Sequence, residues 1–237
     1  MLIEDIIDLK TFPLGSAAFS GDCRTILAET GVLKLDHFIR PKALAAMLAE
    51  SKTGLDDAYF CTQSHSAYLT PHDPAFADDH PANRRIESSK GCICDDQVGA
   101  QSPLRILYDS LLFQGFIAQV TGEDALYAYA DPLSSINVHY AHRGQELGWH
   151  FDNSSFAITL LIQKPDGGSR FEYVKDQRDA DAGDMNYAGV RDILDGTLAP
   201  DELVIEPGTL VLFRGRNSIH RVSHNESDKT RLLDVLA

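Results

Sequence analysis

The stretch Gly148-Trp149-His150-Phe151-Asp152 decides how the rest of the chain reads. It places an imidazole and a carboxylate two residues apart, each preceded by an aromatic residue, on what reads as a β-strand. Side chains alternate faces along a strand, so His150 and Asp152 are expected on one face, able to hold neighbouring positions of a divalent metal. In an acidic chain with 9 histidines, about one His-X-Asp arises by chance, and the tripeptide needs support from its context.

That support lies downstream. Pro207-Gly208 is a turn, residues 209–213 form an apolar run, and residues 219–224 and 230–236 form two further runs separated by a polar turn at 225–229. An antiparallel hairpin of odd register between the last two runs is expected to put His220 on the same face as Arg231. His220 then completes a triangle with His150 and Asp152, and the Arg231 guanidinium shares the pocket. Two histidines and one carboxylate leave metal positions open, as in non-haem iron(II) oxygenases.

Working outward, residues 135–140, 148–152, 157–163, 169–173 and 203–205 also read as short strands, and together with the three runs above they predict a closed or two-sheet β fold. An acidic, loop-like insertion at 174–200 interrupts them. Earlier in the chain, residues 31–39 alternate as a strand, and Pro41 opens a helix through Lys52 that Gly54 stops. Ser102 and Pro103 open one long helix through Val120, with Gly122 beyond its end. Residues 57–100 show neither period and are expected to form an ordered irregular loop over the pocket mouth. The length of 237 residues fits one domain, with residues 1–130 giving helical support plus that loop and residues 131–237 giving the core.

The formal net charge is −14 and there is no block of Lys or Arg, so phosphate-backbone binding lacks its main attraction and no nucleic-acid partner is expected. Residues 1–10 carry acids where a signal peptide carries bases, and the longest clean apolar run, 156–162, is too short to span a bilayer. No membrane association and a cytoplasmic location are expected. Cys23, Cys61, Cys92 and Cys94 read as free thiols, since Cys92-Ile93-Cys94 lacks a second ligand pair at zinc-site spacing.

Residue by residue, His150-Phe151-Asp152, His220 and Arg231 resemble the iron(II)- and 2-oxoglutarate-dependent oxygenases. The resemblance implies a mainly β fold with flanking helices, its core a double-stranded β-helix or cupin-like jelly roll. It also implies that His150, Asp152 and His220 ligate iron(II) and that Arg231 pairs with the distal carboxylate of 2-oxoglutarate. An always-charged planar fork suits bidentate carboxylate recognition. Residues 168–174, Arg178, Asn186-Tyr187 and residues 207–222 look like the branch that holds the free-amino-acid radical halogenases and their lysine-hydroxylating relatives. This implies a dioxygenase acting on an unactivated C–H bond of a small polar substrate, with a free amino acid as the leading class. Asp152 stands where the radical halogenases carry a small residue, so hydroxylation is expected.

Around that centre, Asn137 is expected to touch 2-oxoglutarate, and Arg84, Arg85 and Asn153 to border the substrate. Trp149 is expected to pack outside the barrel, and Glu172 with Arg178 to form a structural ion pair. Two alternatives stay open at this level: an oxygenase of a larger carrier-bound or peptidyl substrate, and a non-oxygenase metal-binding cupin. The second has no use for Arg231.

Overall fold

A computed structural model describes residues 1–127, 129, 131 and 133–237. The strands are β1 (Val32–Leu35), β2 (Tyr59–His65), β3 (Ile86–Cys94), β4 (Ile136–Ala141), β5 (Leu147–His150), β6 (Ala157–Gln163), β7 (Phe171–Val174), β8 (Asp201–Leu203), β9 (Leu210–Phe213), β10 (Ile219–Val222) and β11 (Arg231–Leu236). The helices are α1 (Ile3–Ile6), α2 (Ala17–Thr30), α3 (Pro41–Thr53), α4 (Pro103–Tyr108), α5 (Leu111–Thr121) and α6 (Tyr187–Leu194). None of them is long and apolar enough to cross a membrane.

Neighbouring strands pair antiparallel in the order β1-β9-β6-β11-β4-β3-β5-β10-β7-β8, with β2 added beside β3. A single residue pair, Ser88 with Leu147, joins β3 to β5. There the sheet folds over on itself: Phe213 of β9 packs edge-on against Phe171 and Tyr173 of β7, so the two halves face each other. This is the jelly roll with flanking helices that the motifs imply.

Alternation sorts the side chains of the larger half. Ile136, Val138 and Tyr140 of β4 and Leu232 and Leu236 of β11 bury against the helices, together with Phe38, Met47, Leu104, Leu107, Phe113 and Phe116. The opposite parity, Asn137, His139, Arg231, Leu233 and Val235, faces the barrel interior; Arg231 pairs with Ala141 and Leu233 with His139. Local chemistry sets the helix ends. Pro41 opens α3, Ser16, Ser102 and Ser110 cap α2, α4 and α5, and Gly122 ends α5 in the left-handed region at φ 84°.

Four expectations change. The segment 57–100 contains β2 and β3, which were not expected: β2 is an exposed edge strand, and the inward residues of β3 include Ser88, Lys90, Cys92 and Cys94, so neither shows apolar alternation. The helix expected over 102–120 is two helices, because Ser110 accepts a hydrogen bond from the Phe113 amide and starts a new one. The insertion 174–200 carries α6, which Asn186 caps through the Gly189 amide. Finally, β10 and β11 do not form a hairpin. β10 pairs β5 and β7, whereas β11 pairs β4 and β6, so the turn at 225–229 carries the chain from one half to the other.

One core position is chemically out of place. Asp234, paired with Val138 and Leu160, is 1 % exposed on the helix-facing side, and neither carboxyl oxygen has a partner. It borders a cavity of about 540 Å³ that Met47, Glu50, Ser51 and Ser102 also line. Burial, with Glu50 adding, raises its pKa well above the ordinary 3.8, so the folded chain keeps a proton that the unfolded chain releases. Its contribution to stability therefore falls as pH rises from the unfolded pKa to the folded one. Asp234→Leu is expected to stabilise by about 1–3 kcal/mol, more at pH 8 than at pH 5, in urea unfolding at both. A destabilised variant, or a gain that shrinks with pH, contradicts this.

Candidate metal centre

His150 ends β5 directly opposite His220 on β10, and their ring centroids lie 4.3 Å apart. Each imidazole is oriented by its own backbone. His150 Nδ1 donates to Gly148 O at 2.7 Å, and His220 Nδ1 donates to Ser218 O at 3.1 Å. A carbonyl only accepts, so both Nδ1 atoms carry the proton and both Nε2 atoms present a bare lone pair. Asp152 Oδ1 lies 3.7 Å from His150 Nε2 and 3.6 Å from His220 Nε2.

Asp152 sits beyond the end of β5, so strand alternation does not aim its side chain as the spacing suggested. Its backbone is clamped instead. The Asp152 amide donates to Gly215 O at 3.0 Å, and its carbonyl accepts from Arg178 Nη2 at 3.2 Å. Arg178 is itself held by Arg216 O at 2.6 Å and lies 4.2 Å over the Phe151 ring. The expected Glu172–Arg178 pair is absent among the described residues; Glu172 takes a hydrogen bond from Arg221 Nε at 2.5 Å, and Arg221 lies over Trp149. Trp149 is buried against Val190 and Ile193 of α6, outside the barrel as expected.

Burial lowers the His150 pKa to about 3, with His220 adding, and lowers that of His220 to about 4. Both are neutral at physiological pH, the form that ligates metals. Burial raises the pKa of Asp152, and its Oδ2 has no protein partner. One ligand atom from each of the three residues lies within 4.8 Å of the others, and no other such group of His, Cys, Asp and Glu occurs among the described residues. An orphaned buried carboxylate oxygen beside two outward lone pairs suits a divalent cation, and the set matches iron(II).

Gly215 was not singled out in the sequence, yet the site depends on it. A Cβ there would stand 1.8 Å from Asp152 Oδ2 and 3.0 Å from His220 Cε1. His65 was missed as well. Its Nε2 accepts from Ser88 Oγ at 2.7 Å, and its ring lies 6.2 Å from that of His150. Phe171 and Phe213 pack on His220 at 5.6 and 4.8 Å and form an apolar wall.

Arg231 is 6 % exposed, faces the interior, and its guanidinium makes no hydrogen bond or ion pair with a described residue. Burial lowers its pKa to about 10, which leaves it charged at neutral pH. A buried, unpaired guanidinium is costly, and an anionic ligand would relieve that cost. Asn137 is committed elsewhere: Oδ1 accepts from Cys92 Sγ at 3.1 Å and Nδ2 donates to Ser134 O at 3.0 Å. Nor are Arg84 and Arg85 brought to the triad with free guanidiniums. Arg84 binds Asp195 and Leu194 O beside the end of α6, and Arg85 binds Ser64. Asn153 is exposed next to Asp152, and its carbonyl accepts from Arg216 at 3.1 Å.

A family model described as Halogenase D matches residues 18–237. No curated protein sequence matches the chain. Among solved structures, an oxidoreductase of the 2OG-Fe(II) oxygenase family from Burkholderia pseudomallei superposes with a TM-score of 0.57 at 11% identity, covering 91% of this chain and 88% of that one. A Pseudomonas putida prolyl-4-hydroxylase gives 0.54 at 13% identity, covering 91% and 96%. The epimerase SnoN, solved with Fe3+, alpha ketoglutarate and nogalamycin RO, gives 0.61 at 12% identity, covering 93% and 83%. At these identities the likeness is one of fold.

Proposed function

We propose a hydroxylation for this chain, which belongs to the Halogenase D family and is an iron(II)- and 2-oxoglutarate-dependent oxygenase. The substrate we assign is a small polar molecule, with a free amino acid as the leading class, on the resemblance of residues 168–174 and 207–222. His150, Asp152 and His220 hold the iron, and Arg231 receives the distal carboxylate of 2-oxoglutarate. When bound, iron(II) with 2-oxoglutarate and dioxygen supplies the oxidising power to break an unactivated C–H bond.

The observation that carries hydroxylation is Asp152. Its carboxylate stands beside both imidazoles, in the position that a halide needs vacant, and it brings the negative charge that a halide would bring. Gly215 keeps room for that carboxylate, and the Gly215 carbonyl with Arg178 fixes the backbone beneath it. Phe171 and Phe213 exclude water from the His220 side. Asn153, exposed beside Asp152, is the substrate contact we retain. Arg84 and Arg85, tied to Asp195 and Ser64, act by fixing the segment that precedes β3.

The test is mass analysis of products formed from a panel of amino acids with iron(II), 2-oxoglutarate and dioxygen in high chloride. A gain of one oxygen is the expected result. A chlorinated product from the unmodified protein overturns the assignment.

A further inference from the structure

Arg231 has a companion cation. On β3, Gly91 pairs with Tyr140 and Cys92 with His139, which sets Lys90 level with Ala141; Ala141 in turn pairs with Arg231 on β11. One row across three strands therefore reads lysine, alanine, arginine, all pointing into the barrel. Adjacent strands lie about 4.8 Å apart, so the two cationic residues start about 10 Å apart, within the combined reach of their side chains. Between them the methyl of Ala141 leaves the floor clear.

Neither cation is neutralised. Among the described residues no carboxylate lies within ion-pair distance of Lys90 or Arg231. The neighbouring Cys92 thiol is pushed up to about 12 by burial, so it supplies no anion. Lys90 Nζ lies 3.0 Å from His139 Nε2. Burial, with Lys90 and Arg231 adding, pushes His139 well below the usual histidine range, which leaves it a neutral acceptor for the ammonium. Lys90 is partly buried, and a second unpaired cation beside Arg231 adds to the cost of the empty pocket. The arrangement is built for an anion that enters from outside the chain.

Its position along β3 says which part of that anion it meets. Ser88, one step further on the same face, accepts from the Gly148 amide at 2.9 Å, and Gly148 O orients His150. The metal end of the pocket is thus reached through Ser88, while Lys90 stands level with Arg231.

We propose that Lys90 and Arg231 jointly grip the distal carboxylate of 2-oxoglutarate above Ala141, with His139 holding the ammonium in place. This rests on the cosubstrate reading above. It makes Lys90 a cosubstrate-binding residue.

The test is anaerobic titration of the iron(II)-loaded protein, following the visible charge-transfer band of the keto-acid chelate. The ligands are 2-oxoglutarate and 2-oxopentanoate, which keeps the keto-acid head and lacks the distal carboxylate. Lys90→Met is expected to weaken 2-oxoglutarate at least about tenfold and to leave 2-oxopentanoate unchanged, and Lys90→Arg should restore most of the loss. Should Lys90→Met not fold, Lys90→Gln carries the same expectation. Unchanged 2-oxoglutarate affinity in a folded variant, or an equal loss for both ligands, overturns the assignment of Lys90 alone. A parent protein that gives no band with 2-oxoglutarate overturns the cosubstrate reading itself, and this inference with it.

Discussion

Gly215→Ala is expected to abolish turnover almost as completely as His220→Ala, although it removes no ligand. The added methyl would stand 1.8 Å from Asp152 Oδ2, far inside contact distance. Asp152 has nowhere nearby to retreat, because its amide is bonded to the carbonyl of that same Gly215 and its own carbonyl to Arg178. The carboxylate must therefore swing off the triad or drag the 214–216 backbone with it. Displacing a group that orients a ligand costs about 10–100-fold in metal affinity, and His220→Ala, which deletes a ligand outright, should cost more. Anaerobic iron(II) titration against a competing chelator measures both, with thermal unfolding as the control for folding. Wild-type activity in His220→Ala would remove the triad assignment, and wild-type iron affinity in Gly215→Ala would remove the steric argument.

What was legible in the sequence depended on whether the deciding contact was local. The strands that carry His150, His220 and Arg231 stand out because apolar runs are punctuated by turns, and α3 announces itself through Pro41 and Gly54. β3 does not, since it lines a polar pocket and its inward residues include Ser88, Lys90, Cys92 and Cys94. The break between α4 and α5 is hidden because the apolar period runs on through Asp109-Ser110, while a serine hydroxyl decides the new start. Spacing anticipated that His150, Asp152 and His220 come together, but for a reason that only partly holds: Asp152 is aimed by Gly215 and Arg178 from distant segments, and not by strand alternation. The same distance explains why Gly215 and Lys90 went unnoticed. A glycine's necessity, or a lysine's lack of an anion, appears only when remote strands are brought together.

Arg231→Met should show both sides of a pocket that holds charge without a partner. In the absence of 2-oxoglutarate, the folded chain bears the cost of a guanidinium that is 6 % exposed and makes no ion pair with a described residue. An apolar side chain of similar length removes that cost, so the ligand-free variant is expected to unfold at the same or a higher temperature than the parent. With 2-oxoglutarate present the order should reverse. Losing a charge-assisted bidentate pair costs about 1.5–3 kcal/mol, which corresponds to a roughly 10- to 100-fold higher 2-oxoglutarate requirement. The thermal shift that 2-oxoglutarate confers on the parent should shrink accordingly, because that shift scales with the logarithm of ligand concentration over its dissociation constant. Iron(II) affinity measured without 2-oxoglutarate should stay as it is, since Arg231 is no ligand. Lys90 remains in the variant, so some preference for 2-oxoglutarate over 2-oxopentanoate should survive and vanish only in the double variant. An unchanged 2-oxoglutarate requirement in Arg231→Met would mean that another cation holds the cosubstrate. A large loss of ligand-free stability would mean that the guanidinium serves the fold and not the pocket.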